Sequence, residues 1–175
     1  MNFEELKQYI MQGIQILKLD RNIIRETAED PRAFTLALIV VAISGLASAI
    51  GHLKLLGLIF YPILAVVFFL IMAGVYHLLA GIVFKGSGTF NALVQVMGAA
   101  YIIQWVAIIP ILGVFVSWLA SLWLLVVAVV ILEEVYHLDR TQAILSVAIP
   151  MCTVFVLILV AISMLGTAIL SVLAR

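Results

Sequence analysis

From Ala33 onward the chain is a succession of apolar runs separated by single charges or small charged clusters. Four stretches contain no Asp, Glu, Lys or Arg: residues 33 to 53 (21 residues), 55 to 84 (30), 86 to 132 (47) and 141 to 174 (34). A helix rises 1.5 Å per residue and the hydrocarbon core of a bilayer is roughly 30 Å thick, so about 20 residues cross once and 47 would extend roughly 70 Å. The third stretch therefore crosses twice. Its break is Pro110-Ile-Leu-Gly113, where proline removes a backbone donor and glycine permits a turn. The last stretch, roughly 51 Å as a helix, is too short for two full spans. It reads as one helix, capped by Asp139 and bent near Pro150. Five spans are predicted, over 33–51, 56–84, 90–109, 112–132 and 142–173.

The residues before the first span follow another pattern. Between residues 3 and about 28, Phe3, Leu6, Ile10, Ile14 and Leu17 recur at spacings of three and four, the stripe of an amphipathic helix. Glu4, Glu5, Lys7, Gln8, Gln12 and Lys18 occupy its remaining surface, so it lies in the membrane plane or packs against another helix. Asp30-Pro31 then offers an N-cap with proline at the first helical position of the first span. The predicted organisation is an N-terminal cytoplasmic amphipathic helix within residues 1–30 and a five-span domain over 31–175. The fold class is an all-α polytopic membrane protein with an interfacial helix.

Composition narrows the function classes. Apolar residues make up 66% of the chain and charged ones 10%, with a mean hydropathy of +1.33. Eleven of the 18 charged residues fall in the first 33 positions, which leaves only seven for everything else. No water-facing globular surface can be made from that remainder. Nine basic residues balance nine acidic ones, so there is no basic footprint and nucleic acid is set aside as a partner. Cys152 is the sole cysteine, which excludes an intrachain disulfide and a cysteine-rich metal site. The opening MNFEELKQYI lacks the basic and apolar regions of a secretory signal, so the first span is expected to direct insertion. With the amino terminus inside, Lys7, Lys18, Arg21, Arg25, Arg32, Lys85 and Arg140 are internal, and Lys54 and Arg175 external. Seven against two predicts a cytoplasmic amino terminus and an exterior carboxyl terminus.

Polar groups inside spans are costly, so candidate chemistry is sought there. His77 shares a helix face with Gly74 and Gly81, and Ala73 and Ala80 lie beside it, a small-residue surface that another helix can approach closely. It reads as a neutral imidazole bonded across a helix interface, or as a proton-relay or ligand histidine. Glu133 and His137 are four apart at the end of the fourth span and would share a face if the helix continued. With His77 ending on the same side, the three form a weak candidate zinc cluster, against a solvated loop with local ion pairs. Gln95 and Gln104 read as interhelical hydrogen-bonding groups. Tyr61, Trp105, Trp118 and Tyr136 fall mostly near span ends, where amphipathic rings sit at headgroup level, while Tyr101 and Trp123 lie deeper and are expected to be packed. Lys85-Gly-Ser-Gly88 lacks the strand-loop-helix setting of a phosphate loop and reads as a cytoplasmic turn. There is no GxSxG, no pair of aspartates within spans and no segment outside them large enough for a catalytic domain. The expectation is a protein that is not an enzyme, with no cofactor.

The order of these features resembles the Yip-domain family of small polytopic membrane proteins. The resemblance is carried by His77-Leu-Leu-Ala-Gly-Ile-Val-Phe-Lys-Gly-Ser-Gly-Thr-Phe90, by Val94 to Tyr101, by the Pro110 to Gly113 turn, and by Trp118 to Ala143 with Glu133, His137 and Leu138. Asp30-Pro31-Arg32 is similar to the segment that opens the family's first span. Bacterial members commonly place a proline shortly after the tyrosine of the third span, where this chain has Ile102-Ile-Gln-Trp105. Eukaryotic members associate with Rab GTPases and carry a long polar amino-terminal region unlike this one, so a Rab partner is not expected. The resemblance implies a prokaryotic, five-span protein of the cytoplasmic (inner) membrane. Its expected role is that of a non-catalytic scaffold or accessory subunit acting on the lipid bilayer or on other membrane proteins. The alternative is a small-solute or proton-coupled transporter or channel subunit using His77, Gln95 and Gln104.

Overall fold

A computed structural model of the chain describes residues 3–110 and 112–173, and side chains at all of these except 114, 158 and 165–173. The elements are α1 (Phe3–Leu17), α2 (Arg21–Glu29), α3 (Ala33–Gly51), α4 (Gly57–His77), α5 (Phe90–Ala100), α6 (Leu112–Tyr136) and α7 (Arg140–Leu173). A π-helical segment, Leu78–Val83, continues α4, and a 3-10 segment, Tyr101–Ile108, continues α5. Five segments are long and apolar enough to cross a membrane: Ala33–Gly51, Gly57–Val83, Phe90–Ile108, Phe115–Tyr136 and Arg140–Met164. The chain is thus an all-α membrane protein with five spans, as the apolar runs predict. Arg175, counted above as exterior, lies outside the described residues.

α3 is the central helix, packed against α4, α5 and the 3-10 segment. Half of each of the first and third spans is buried inside the protein, against 11% of the second, so α4 keeps most of its apolar surface for lipid. α7 likewise has exposed described side chains from Met151 to Met164. Close approach of α3 and α5 depends on Gly98, where an added Cβ would fall inside the methyl of Ala37.

The N-terminal region is two helices where the apolar spacing predicts one. Leu19 sits in the left-handed region at φ 66, and the Asp20 carboxylate accepts hydrogen bonds from the amides of Asn22 (3.0 Å) and Ile23 (3.4 Å). An aspartate that satisfies the free donors of a helix start marks a new helix, so the chain turns and α2 runs back. The docked face of α1 also differs from the predicted stripe. Tyr9, Gln12, Gly13 and Ile16 are buried, while Phe3 is 75% exposed. Gly13 sets this face, because its missing side chain lets α1 approach the Ala99 carbonyl of α5.

Other boundaries shift for local reasons. Asp30 does not cap α3. Its Oδ1 accepts the Arg32 amide at 2.9 Å and its carbonyl accepts the Ala33 amide at 3.0 Å, a tight turn that starts the helix at Ala33. α6 continues four residues past the predicted end at 132, through both glutamates to Tyr136. Asp139 does cap α7. Its Oδ1 accepts the Gln142 amide at 2.8 Å, and Gln142 Oε1 accepts the Asp139 amide at 3.3 Å, a reciprocal capping box. The small-residue surface predicted around His77 holds for Ala73 and Ala80, which are buried, but nothing lies within 4 Å of a Cβ built on Gly74. Trp123, expected to be packed, is 41% exposed and donates to the Leu17 carbonyl at 3.0 Å. Tyr136, expected at headgroup level, is fully buried.

These two glycines separate packing from propensity. Gly98→Ala should destabilise the fold by about 1–3 kcal/mol through overpacking. Gly74→Ala should be neutral or stabilising by up to about 1 kcal/mol, because it meets open space and removes glycine's helix penalty. Reversible unfolding in mixed micelles measures both, and equal losses at the two sites would contradict this packing.

Candidate functional site at the charged end of the bundle

Lys85, the two glutamates of α6 and the α1–α2 hairpin gather at the end of the bundle where α3 begins. Glu134 is buried, although it closes a long apolar helix. α2 supplies its partners. Arg25 reaches Glu134 Oε2 at 2.6 Å, and Arg21 binds both Glu134 and, at 2.6 Å, Glu133. Arg21 and Arg25 are one helical turn apart and thus share a face. A carboxylate removed from water needs this compensation. Hydrogen bonds to Glu134 and then to Glu133 hold the Arg21 guanidinium above its ordinary pKa.

Behind this ion-pair network the Lys85–Thr89 loop wraps around the end of α6. The Ser87 amide donates to the Tyr136 carbonyl at 3.1 Å, and the Gly86 amide to the Ala80 carbonyl at 2.8 Å. A Cβ on Gly86 or Gly88 would strike the backbone or ring of Tyr136. The glycines therefore serve close packing of a loop against a helix end. His77 Nδ1 lies 2.5 Å from the Tyr136 hydroxyl, which in turn lies 3.4 Å from the Thr89 carbonyl. One arrangement uses every group: Nδ1–H donates to the phenol oxygen, and the phenol donates to the carbonyl. The His77 ring also meets Phe90 edge-on at 5.8 Å.

The predicted site residues thus take separate partners. Glu133 pairs with Arg21 and His77 with Tyr136. His137 follows the end of α6 in the left-handed region, at φ 54, and is exposed, so it does not share a helical face with Glu133. Among the described residues no three His, Cys, Asp or Glu side chains gather as a metal ion would require. Gln95 donates to the Asp30 carbonyl at 2.9 Å, and its own backbone carbonyl accepts the Tyr9 hydroxyl at 2.6 Å. Gln104 donates to Ser121 at 2.9 Å. Both amides join separate elements. A cavity of about 390 Å³ opens between α2, the loop and the end of α6, lined in part by Arg25, Glu29, Ser87, Thr89 and His137.

A family model, the Yip1 domain, matches residues 20–162. The chain belongs to the Yip1 domain family. No curated protein and no solved structure matches it. The Yip1 match begins at Asp20, the cap of α2, so it takes in both arginines, both glutamates and the loop around Tyr136, while α1 precedes it. Sequence reasoning missed the two arginines and Tyr136. A signal for the arginines was present: basic residues four apart in the chain before the spans, and two adjacent acids on an otherwise apolar helix. For Tyr136 there was none, because its partners lie 47 and 59 residues away.

Two outcomes follow from these contacts. Releasing the hairpin should expose α1: in a Cys152→Ser background, a cysteine at the buried Ile16 position should react slowly with a maleimide, and much faster once Arg21 and Arg25 are both alanine. Unchanged reactivity would show that the ion pairs do not hold α2. For the inner pair, His77→Leu and Tyr136→Phe should each cost on the order of 1 kcal/mol and be non-additive, with a coupling of about 0.6–1 kcal/mol. His77→Gln keeps a donor and an acceptor and should be tolerated. Additive losses would contradict the bond.

Proposed function

We propose that this chain is a non-catalytic scaffold or accessory subunit of a prokaryotic inner membrane. Its charged end faces the cytoplasm and receives other membrane proteins. The observation that carries this reading is how polar groups within or beside the spans are used. His77 meets Tyr136, Gln95 meets the Asp30 carbonyl, Gln104 meets Ser121, and Trp105 Nε1 donates to the Val40 carbonyl at 3.1 Å. Such groups are spent on joining helices. Transport would instead need them to converge on one path. The partner-facing surface is the cavity of about 390 Å³ at the charged end, with arginine, glutamate, serine and histidine at its wall. The orientation is supported by the gathering of basic residues on the hairpin and the Lys85 loop, opposite Lys54.

Reporter fusions after Lys85 and Arg140 should report cytoplasm, and a fusion after Lys54 the exterior. For the role itself, a defined membrane protein should co-purify stoichiometrically in mild detergent and be lost when Arg25 and Glu29 are reversed in charge. Solute- or proton-linked flux in proteoliposomes, abolished by His77→Ala, would replace the scaffold reading with a transporter.

A further inference from the structure

A second cavity, a cleft of about 410 Å³, lies between the start of α2, α6 and α7. Its apolar wall is made by Val126, Val129 and Val130 of α6, Ile144 of α7 and Leu19 of the turn before α2. Its charged wall is made by Arg21, Glu133 and Arg140. On both α6 and α7 the charged residue lies toward the end of the span and the apolar ones toward its middle. The cleft is therefore amphipathic along its length, and its volume is that of a small-molecule site, about 300–1,000 Å³.

Charge matching leaves one cation over. Arg21 and Arg25 meet Glu133 and Glu134, two against two. The Asp139 carboxylate accepts the Gln142 amide as the cap of α7, where a helix start favours negative charge. Ion pairs among the described residues take Arg21, Arg25 and Arg32, and Arg140 is paired with no carboxylate there. The surplus positive charge thus stands at the charged wall of the cleft. Basic pockets between spans at the membrane boundary are the setting in which anionic head groups are held.

Depth selects the occupant. Arg140 opens the fifth span, and Glu133 lies three residues before the end of the fourth, so the charged wall stands at the boundary of the apolar layer. Val126 is seven residues before Glu133 and Ile144 four after Arg140, about 10 Å and 6 Å inward along their helices. Both are 46% exposed, so the apolar part opens on the surface that meets lipid. A free phosphate would leave the valines uncovered, an apolar helix would leave Arg140 unmatched, and a zwitterionic lipid brings its own cation to its phosphate. We propose that this cleft binds an anionic phospholipid, with its phosphate at Arg140 and an acyl chain along Val126, Val129 and Ile144.

The test is native mass spectrometry of the full chain in detergent, titrated with diacyl phosphatidylglycerol, with phosphatidylcholine of the same acyl chains, and with glycerol 3-phosphate. Phosphatidylglycerol should bind saturably, one molecule per chain, about fivefold more tightly than phosphatidylcholine, the scale of one basic residue at an anionic membrane surface. Arg140→Gln should erase that preference and leave thermal unfolding unchanged, since the guanidinium pairs with nothing in the described chain. Lys85→Gln, which removes another cation from the same end, should keep it. Val126→Trp, which narrows the apolar part, should weaken the binding of both lipids. Equal affinity for the two lipids, or equal losses in Arg140→Gln and Lys85→Gln, would overturn the site. Undiminished binding to the Val126→Trp chain would overturn the seat of the acyl chain, and displacement of the lipid by an equal concentration of glycerol 3-phosphate would overturn the lipid as occupant. Each outcome is read on the chain alone, so none depends on whether the charged end receives a protein.

Discussion

A carboxylate at the end of an apolar helix cannot be buried without compensating charge, and the position of Glu134 organises one end of this protein. Glu134 is buried where α6 leaves the apolar layer, so cations must be brought to it. The chain supplies them from α2, more than 100 residues earlier. Seating Arg21 and Arg25 there fixes α2 against α5 and α6, and the turn at Leu19 and Asp20 then returns α1 onto α5. The amphipathic segment is therefore tied to the bundle by a cap, a glycine and two arginines. Once Tyr9 and Ile16 are buried against α5, Phe3 and Met11 remain on the outer edge of α1, next to Lys7 and Lys18. That edge suits the membrane interface, with apolar side chains below and lysines reaching up.

The same economy governs the spans. In hydrocarbon each backbone donor and acceptor must be met within the protein, so departures from regular α-helix occur only where something else receives the freed groups. The π segment after His77 passes its end groups to the loop: the Phe84 amide bonds the Leu79 carbonyl at 2.9 Å and the Gly86 amide the Ala80 carbonyl at 2.8 Å. The 3-10 segment after Tyr101 keeps its backbone bonds within its own tighter turns, and two of its side chains tie it to neighbouring helices, Gln104 to Ser121 and Trp105 to the Val40 carbonyl. Burial is uneven as a result. α3 and α5 carry the close contacts, while α4 and α7 keep apolar surface that only lipid or another apolar helix can cover.

The five spans were legible in the sequence because the bilayer imposes one length and one polarity on every crossing, and the charges that punctuate them are few. The capping box at Asp139 and Gln142 was half legible, as a cap, from residue type and position. The break at Asp20 was not read, because the 3-4 spacing of Phe3 to Leu17 looks continuous until a capping aspartate is weighed against it. The docked face of α1 was misread for a related reason. Hydrophobicity favours the Phe3–Ile14 stripe, whereas the bound face is decided by Gly13, whose contribution is an absent side chain. Glu133 and His137 appeared to share a face on helical spacing, and the left-handed backbone at His137 removes it. No single-sequence pattern announces a left-handed histidine.

Tyr76 and His77 are consecutive, yet they belong to the two polar features of the fold. Tyr76 lines a crevice among α4, α5, α6 and α7, while His77 turns to Tyr136 and Phe90 at the charged end. The helix changes to the wider π form in the next residue. A turn that must present adjacent side chains to two different neighbours has little freedom to rotate, because seating one fixes the direction of the other. The crevice and the loop around Tyr136 are therefore joined through one turn of α4. The glycines that let the loop close on Tyr136 also hold in place the histidine beside the crevice tyrosine. The 77–90 segment is thus more than a connection between spans: one turn of α4 seats His77 at the charged end and Tyr76 at the wall of the crevice.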